Sequence, residues 1–377
     1  MSVVVICEFN PFHNGHKYLI DKAKDYGDVI CIMSGAFTQR GEPAITDKYA
    51  RAKQAVIGGA DAVIELPTVF ATSSAQFFAS GAAEIIKNIG GVTHIIFGAE
   101  TDDVQTLSVV AKQKNEKSTV QRTKEIMKTG VSYANAICSA VGEINDKYTQ
   151  VLSTPNNLLA VEYIAALAGS GIAPVAVKRT VSHDGTQPVE KFASASLVRK
   201  LIERDSKDAR LYMSEEMLSA CGSPPDLKLY ENLILYSLLN KSKDELENLR
   251  DVENGLGYLL YKSVRECTSV SELIEKLKSK RYTYARLRRI LLSSLLDINK
   301  HIMSGIIRVK TRILAIKKEF KPHLCDFNPD NIITRNSMLT DDFVDNIVKI
   351  DMLANDIYAL LCGKQFNDYL AKPMLII

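Results

Sequence analysis

The chain has 377 residues, 46% of them apolar and 24% charged, a balance typical of a soluble globular protein that excludes disordered, collagen-like and coiled-coil classes. Its length allows two to three domains, each with a core of its own. Forty-seven Lys+Arg against 44 Asp+Glu leave a formal charge of +3, too small by itself to mark a nucleic-acid partner.

From Ser2 to about Glu203, short Val/Ile runs alternate with amphipathic segments, the pattern of parallel strands joined by crossover helices. Strands are expected at Val3–Cys7, Asp28–Met33, Ala62–Leu66, His94–Phe97 and Pro174–Val177, and helices at Gly15–Tyr26, Asp47–Ile57, Ser74–Ile89, Asn157–Ala168 and Ser196–Glu203. Asn14, Thr46 and Ser73 are the expected helix caps. The fold class is α/β, a Rossmann-like, doubly wound parallel sheet in residues 1–205, with a helical insertion at about 103–150. After Asp205 the alternation stops and Leu/Ile/Lys/Glu segments at helical spacing take over, giving a mostly α-helical second domain over 206–377. Residues 261–318 hold fifteen Lys/Arg and four acids, a local excess of +11 that leaves −8 for the remainder. That asymmetry points to RNA on the helical half.

The seven cysteines are scattered, with no CxxC pair. They read as reduced thiols of a cytoplasmic protein and not as a zinc or disulfide framework. No stretch approaches the roughly 18 apolar residues of a membrane span, and no signal-peptide pattern opens the chain. Membrane insertion and export are therefore not expected.

The first strand runs into Glu8-Phe9-Asn10-Pro11-Phe12-His13-Asn14-Gly15-His16 and then a helix. In an open α/β sheet, ligands lie beyond the carboxyl ends of strands, where free N–H groups and a helix dipole favour anions. Two imidazoles three residues apart on a helix start can share that side. His13 and His16 are then placed to stabilise charge as an α-phosphorus is attacked, while Gly15 permits close backbone approach. A lone His-x-x-His is common by chance; its strand–turn–helix setting here resembles the HxGH signature of the nucleotidylyltransferase superfamily. Ser194-Ala195-Ser196-Leu197-Val198-Arg199 resembles that superfamily's triphosphate segment, with Arg199 assisting the departing pyrophosphate. An ordinary helix cap is the plain alternative.

Loop residues Gln39 and Arg40, with Lys48 and Arg51 on the next helix, form a polar and basic group suited to a carboxylate, phosphates or RNA, or else to a solvated helix face. Further strings are Ser34-Gly35-Ala36-Phe37-Thr38-Gln39-Arg40-Gly41-Glu42-Pro43-Ala44, Gly58-Gly59-Ala60-Asp61 through Glu65-Leu66-Pro67, Phe97-Gly98-Ala99-Glu100, Pro155-Asn156-Asn157 and Lys178-Arg179. Together they closely resemble the tRNA(Met) cytidine acetate ligase family. The resemblance implies that ATP and acetate form acetyl-adenylate, and that the acetyl group passes to N4 of the wobble cytidine of elongator tRNA(Met). It implies ATP contacts from Ile6, Cys7, Glu8, Phe9, Asn10, Pro11, Phe12, Asn14, Gly15, Lys17, Tyr18 and Leu19, and from Gly98, Asn156 or Asn157, and Arg179, to which the superfamily's triphosphate segment adds Ser194 and Ser196. The segment Ser182-His183-Asp184-Gly185 departs from the family pattern.

Mg²⁺ is expected with the nucleotide, held mainly by phosphates and water, and no residue is assigned to a metal. Arg281, Tyr284, Arg286 and Arg289 mix cations and aromatics as a surface gripping tRNA would. On the residues alone two other readings stay open: an adenylate-forming enzyme acting on a small metabolite, and a non-catalytic RNA-binding protein. The oligomeric state stays open too, a homo-oligomer included.

Overall fold

A computed structural model describes residues 1–179, 187–204, 207–306, 308–334, 336–339, 344–366 and 372–377. The expected division near 205–206 and the segment 182–185 lie outside the described residues. Five parallel strands, β1 (Ser2–Cys7), β2 (Asp28–Ser34), β3 (Ala62–Leu66), β4 (Val92–Ala99) and β5 (Ala173–Lys178), lie in the order β5-β4-β1-β2-β3. This is a doubly wound arrangement. The interior strands are near-continuous Val/Ile because both faces are covered. Val4 and Ile6 of β1 enter one core, whereas Val3 and Val5 enter the other.

The sheet continues beyond the five expected strands. β6 (Thr311–Ile316) adds antiparallel to β3, and β7 (Ile332–Ile333) and β8 (Leu375–Ile376) pair with β6. The second half is otherwise mostly helical. Its helices share the core beneath β1 and β2, with Ile234, Leu260 and Leu291 in the same buried cluster as Val4 and Ile30. β6 hides in the sequence because it sits inside the basic stretch and carries Arg312, whose side chain is nonetheless buried.

The helices fall close to expectation: Asn14–Ala23, Lys48–Ile57, Ala75–Lys87, Pro155–Ala166 and Ala195–Glu203, with four more between Val104 and Leu152. Their caps differ by one residue. His13, Asp47 and Ser74 occupy the cap positions expected of Asn14, Thr46 and Ser73.

Two residues expected at the ligand rim are internal. Arg51 is 0% exposed; its guanidinium donates to the carbonyls of Glu8 (2.7 Å), Ser34 (3.0 Å) and Thr46 (3.2 Å), and also to that of Gly35. Lys48 is 2% exposed and its ammonium meets both oxygens of Glu65 at 2.8 Å. Strand ends expose carbonyls that must find donors once buried, and Arg51 supplies them for β1 and β2 together. Replacing Arg51 with Leu strands these carbonyls, so a loss of about 3 kcal/mol or more is expected, read from urea unfolding midpoints.

Candidate active site

The strand order reverses between β1 and β4, the place where an open α/β sheet holds its ligands, beyond the carboxyl ends of the strands. Ile6 and Cys7 lead into it, the first in a core and the second donating its thiol to the Ile32 carbonyl at 3.5 Å. Phe9 holds a φ of +47°, costly for an aromatic residue. Its buried ring sits edge-on to Phe12 at 5.0 Å and to His16 at 4.9 Å, which fixes the turn through Asn10 and Pro11. Gly58 makes room for this packing, since an added Cβ would lie 2.5 Å from Phe12 Cζ.

His13 caps the helix Asn14–Ala23. Its Nδ1 accepts the Gly15 N–H at 3.0 Å, while its own N–H donates to His16 Nδ1 at 3.3 Å, a reciprocal capping box made of two imidazoles. The rings stack 3.7 Å apart with 26° between planes. With both Nδ1 atoms accepting, each neutral ring carries its proton on Nε2 and stays a donor there. Burial lowers the His13 pKa to about 3, helped by the charges of Arg179 and Arg199. Burial also pushes His16 well below the usual imidazole range, followed by His13 and Arg179, with the Pro11 carbonyl opposing. The pair is therefore neutral near pH 7, as stacked rings this close require.

The remaining residues of this run divide. Asn14 donates from Nδ2 to the carbonyls of Lys191 and Leu211, both at 3.0 Å, strapping the helix start to a distant loop. Gly15 lies under His13, whose Cε1 would be 2.9 Å from an added Cβ. Lys17 pairs with Asp21 at 2.7 Å, Tyr18 lies edge-on to Phe192 at 5.7 Å, and Leu19 packs into the core.

Gly98 and Arg179 form the opposite lip. The Arg179 N–H donates to the Ala99 carbonyl at 2.9 Å, and its side chain passes Gly98, where an added Cβ would be 3.5 Å from Cγ. Its buried Nε has no hydrogen-bond partner among the described residues. A buried cationic donor left open in this way fits a crevice built for an anion. Asn156 donates to Glu100 at 2.6 Å; Asn157 accepts the N–H groups of Glu100 (2.9 Å) and Thr101 (3.1 Å). Both asparagines thus brace the lip. Burial opposes ionisation of Glu100, but hydrogen bonds from Asn156 and Asn157 outweigh it and hold its pKa down.

Ser194 caps the helix Ala195–Glu203 by accepting the Leu197 N–H at 3.1 Å. Arg199 reaches back to the Asn10 carbonyl at 2.7 Å and to Ser196 Oγ at 3.3 Å. Positive groups from three segments, Arg179, Arg199 and the helix start at His13, therefore converge on one turn. Glu8 and Asn10 have a bracing role that the sequence did not reveal: Glu8 accepts the Gln39 N–H at 2.7 Å and Asn10 Oδ1 the Ile45 N–H at 2.8 Å. Arg40, at the tip of that loop, is exposed.

The basic stretch does not form a single face. Arg286 donates to the Asp251 carbonyl at 2.8 Å and lies over Tyr282, while Asp251 faces the half-buried Arg289. Both are anchored within the helical half. Arg281 reaches the Met127 carbonyl at 3.2 Å. Tyr284, 36% exposed between Lys278 and Arg288, keeps the cation–aromatic surface expected of an RNA grip. Among the described residues, no group of three metal-ligating side chains gathers, and no helix is long and apolar enough to cross a membrane.

A doubly wound sheet with an HxGH turn at its reversal point defines a nucleotidyl-transfer enzyme, and residues 1–372 match the family described as HIGH Nucleotidyl Transferase. The chain is 36% identical to the tRNA(Met) cytidine acetate ligase of Thermoanaerobacter sp. (strain X514) over 94% of each chain, and 32% identical to that of Clostridium perfringens over 98% of each. It superposes on Thermotoga maritima TmcAL bound with alpha-thio ATP with a TM-score of 0.89 at 28% identity, covering 100% of both chains. The apo form of that protein gives 0.91, with 100% of this chain and 99% of the other covered. The chain belongs to the tRNA(Met) cytidine acetate ligase family and is an ATP-dependent ligase.

The depressed imidazoles give the fold a pH dependence. The unfolded chain takes up protons at His13 and His16 as pH falls through about 6.5, while the folded chain does not. Their contribution is present above 6.5 and declines as pH drops toward 3. The urea midpoint should fall between pH 7 and pH 5, and fall less in His13→Asn, which keeps a capping side chain.

Proposed function

We propose that this chain condenses ATP with acetate to acetyl-adenylate, releasing pyrophosphate, and transfers the acetyl group to N4 of the wobble cytidine of elongator tRNA(Met), releasing AMP. The observation that carries this reading is the pair of stacked, neutral imidazoles at a helix start beside Arg179 and Arg199. Acetate is a weak acyl donor until its oxygen is joined to phosphorus, and that displacement needs positioning and charge relief without a covalent enzyme nucleophile. His13 and His16 would donate from Nε2 to oxygens that gain charge, and Arg199 would hold the departing pyrophosphate. Arg179 would meet the phosphates on the other lip, with Gly98 leaving space beside it. Mg²⁺ would ride on the phosphates and water, since no group of three metal-ligating side chains gathers among the described residues.

We assign adenylation to residues 1–205 and the tRNA grip to residues 206–377, in a cytoplasmic enzyme. Support for the second assignment is the exposed Tyr284 between its two cations. Mass spectrometry of tRNA incubated with ATP and isotopically labelled acetate should find the label on the wobble cytidine. No acetate-dependent release of pyrophosphate would favour a small-metabolite ligase. His16→Ala should slow adenylate formation about 100-fold or more while tRNA still binds; unchanged modification would favour a non-catalytic RNA-binding protein. The double change Lys278→Glu and Tyr284→Ala should weaken tRNA binding and flatten its dependence on salt, as measured by filter binding across a salt series.

A further inference from the structure

The loop Gln39-Arg40-Gly41-Glu42 is held in place from several sides. Its ties to Glu8 and Asn10 fasten both ends to the HxGH turn. Within it, the Thr38 N–H donates to the Glu42 carbonyl at 2.9 Å and the Tyr230 hydroxyl to the Gly41 carbonyl at 2.7 Å. Gly41 has a φ of +74°, and an added Cβ would lie 2.8 Å from the Arg288 carbonyl carbon. The tip is thus pressed against the helix Tyr284–Leu295, where the Glu42 carboxylate pairs with Arg288.

Behind the tip lies a cavity of about 800 Å³. Asn10 lines it from the HxGH turn, Arg199 from the helix Ala195–Glu203, Glu42 and Arg288 from the loop and helix pressed together at the tip, and Ile45 and Tyr230 are among its apolar walls. Neither Gly98 nor Arg179 is among its lining residues. A flat heterocycle needs apolar walls and its exocyclic amine needs an acceptor, which for cytosine N4 is typically a carboxylate. Base chemistry also requires the nucleotide to leave its stack and enter a pocket.

We propose that this cavity receives the everted cytosine of the RNA substrate and that Glu42 is the catalytic base that takes its N4 proton. The inference rests on the function proposed above. In the step, the N4 lone pair forms the C–N bond to the acetyl carbon, and the acyl C–O bond to phosphate breaks. AMP leaves with that electron pair, and the proton lost by N4 passes to the Glu42 carboxylate. Arg288 pairs with that carboxylate and holds it at the cavity wall. Among the described residues, the carboxylates lining the cavity are those of Glu42, Glu203, Glu215 and Glu231; of these, Glu42 is on a loop hydrogen-bonded at both ends to the HxGH turn.

The test compares two assays on the full chain: acetate-dependent ATP–pyrophosphate exchange without RNA, and single-turnover acetyl transfer to tRNA(Met). Glu42→Gln should lower transfer about 100-fold more than exchange, with tRNA affinity retained. Ser219→Trp, which places bulk in the cavity from its exposed wall, should also lower transfer more than exchange. Equal loss of both activities in a folded Glu42→Gln, or full transfer by it, overturns the assignment of the base. Full transfer by Ser219→Trp overturns the cavity. If Glu42→Gln fails to fold by circular dichroism, Glu42→Asp takes its place, with transfer expected to fall about tenfold more than exchange and the same reversals deciding. Absence of acetate-dependent exchange in the unaltered chain would reject the function itself and leave this inference without a reaction.

Discussion

Carbonyl groups at the ends of β1 and β2 and at Thr46 turn inward toward a single guanidinium, that of Arg51, which has no carboxylate among its hydrogen-bond partners. A buried cation solvated by peptide dipoles is costly to assemble and equally costly to disturb. The arrangement pins Glu8, Ser34 and Gly35 relative to one another, and everything chemical about the molecule is hung from those three points. Glu8 and Asn10 extend the bracing to residues 39 and 45, and Arg199 closes it from a helix nearly two hundred positions later in the chain. The HxGH turn is rigid because three separate segments hold its backbone.

Rigidity matters because the site is electrostatically unfinished. Arg179 and Arg199 lie near imidazoles that burial keeps neutral, with Glu100 facing the first arginine and Glu8 and Glu203 the second. Burial lowers the pKa of both arginines, and an anion entering the crevice reverses that cost. Donors already oriented need no rearrangement when charge shifts onto phosphate oxygens, which is how preorganised dipoles outperform water. Neutral histidines suit this better than charged ones: stacked at 3.7 Å, two imidazolium rings would repel each other before any ligand arrived.

The legible parts of the sequence were those where one physical demand dominates. Interior strands flanked by helices must be Val/Ile-rich, so the five parallel strands and the turn after the first stood out. The identity of the cap did not, because histidine is rarely chosen for that role and Asn14 beside it is a better one by propensity. Lys48 and Arg51 read as ligand-rim residues, since their actual partners, Glu65 and a set of main-chain carbonyls, come together only when the sheet forms. β6 was hidden by Arg312, which reads as surface until the fold buries it. Asn156 and Asn157 carried ligand-like chemistry in the sequence, yet the space near Glu100 turns both into braces.

Two kinds of neighbourhood flank the same turn, and their separation suits a reaction in two stages. On the β4 side, glycine, arginine and helix dipole make a place for a polyanion. On the β2 side, the 39–45 loop opens onto a larger, partly apolar space that also touches the helical half. An acyl-adenylate formed at the boundary would present its phosphate to one side and its carbonyl to the other. The mixed anhydride would then need no journey between sites, and water would compete only until the second substrate filled the remaining space. On this view the helical half does more than hold RNA. By packing Tyr230 and Arg288 against Gly41 and Glu42, it completes a wall of the cavity proposed for the second step.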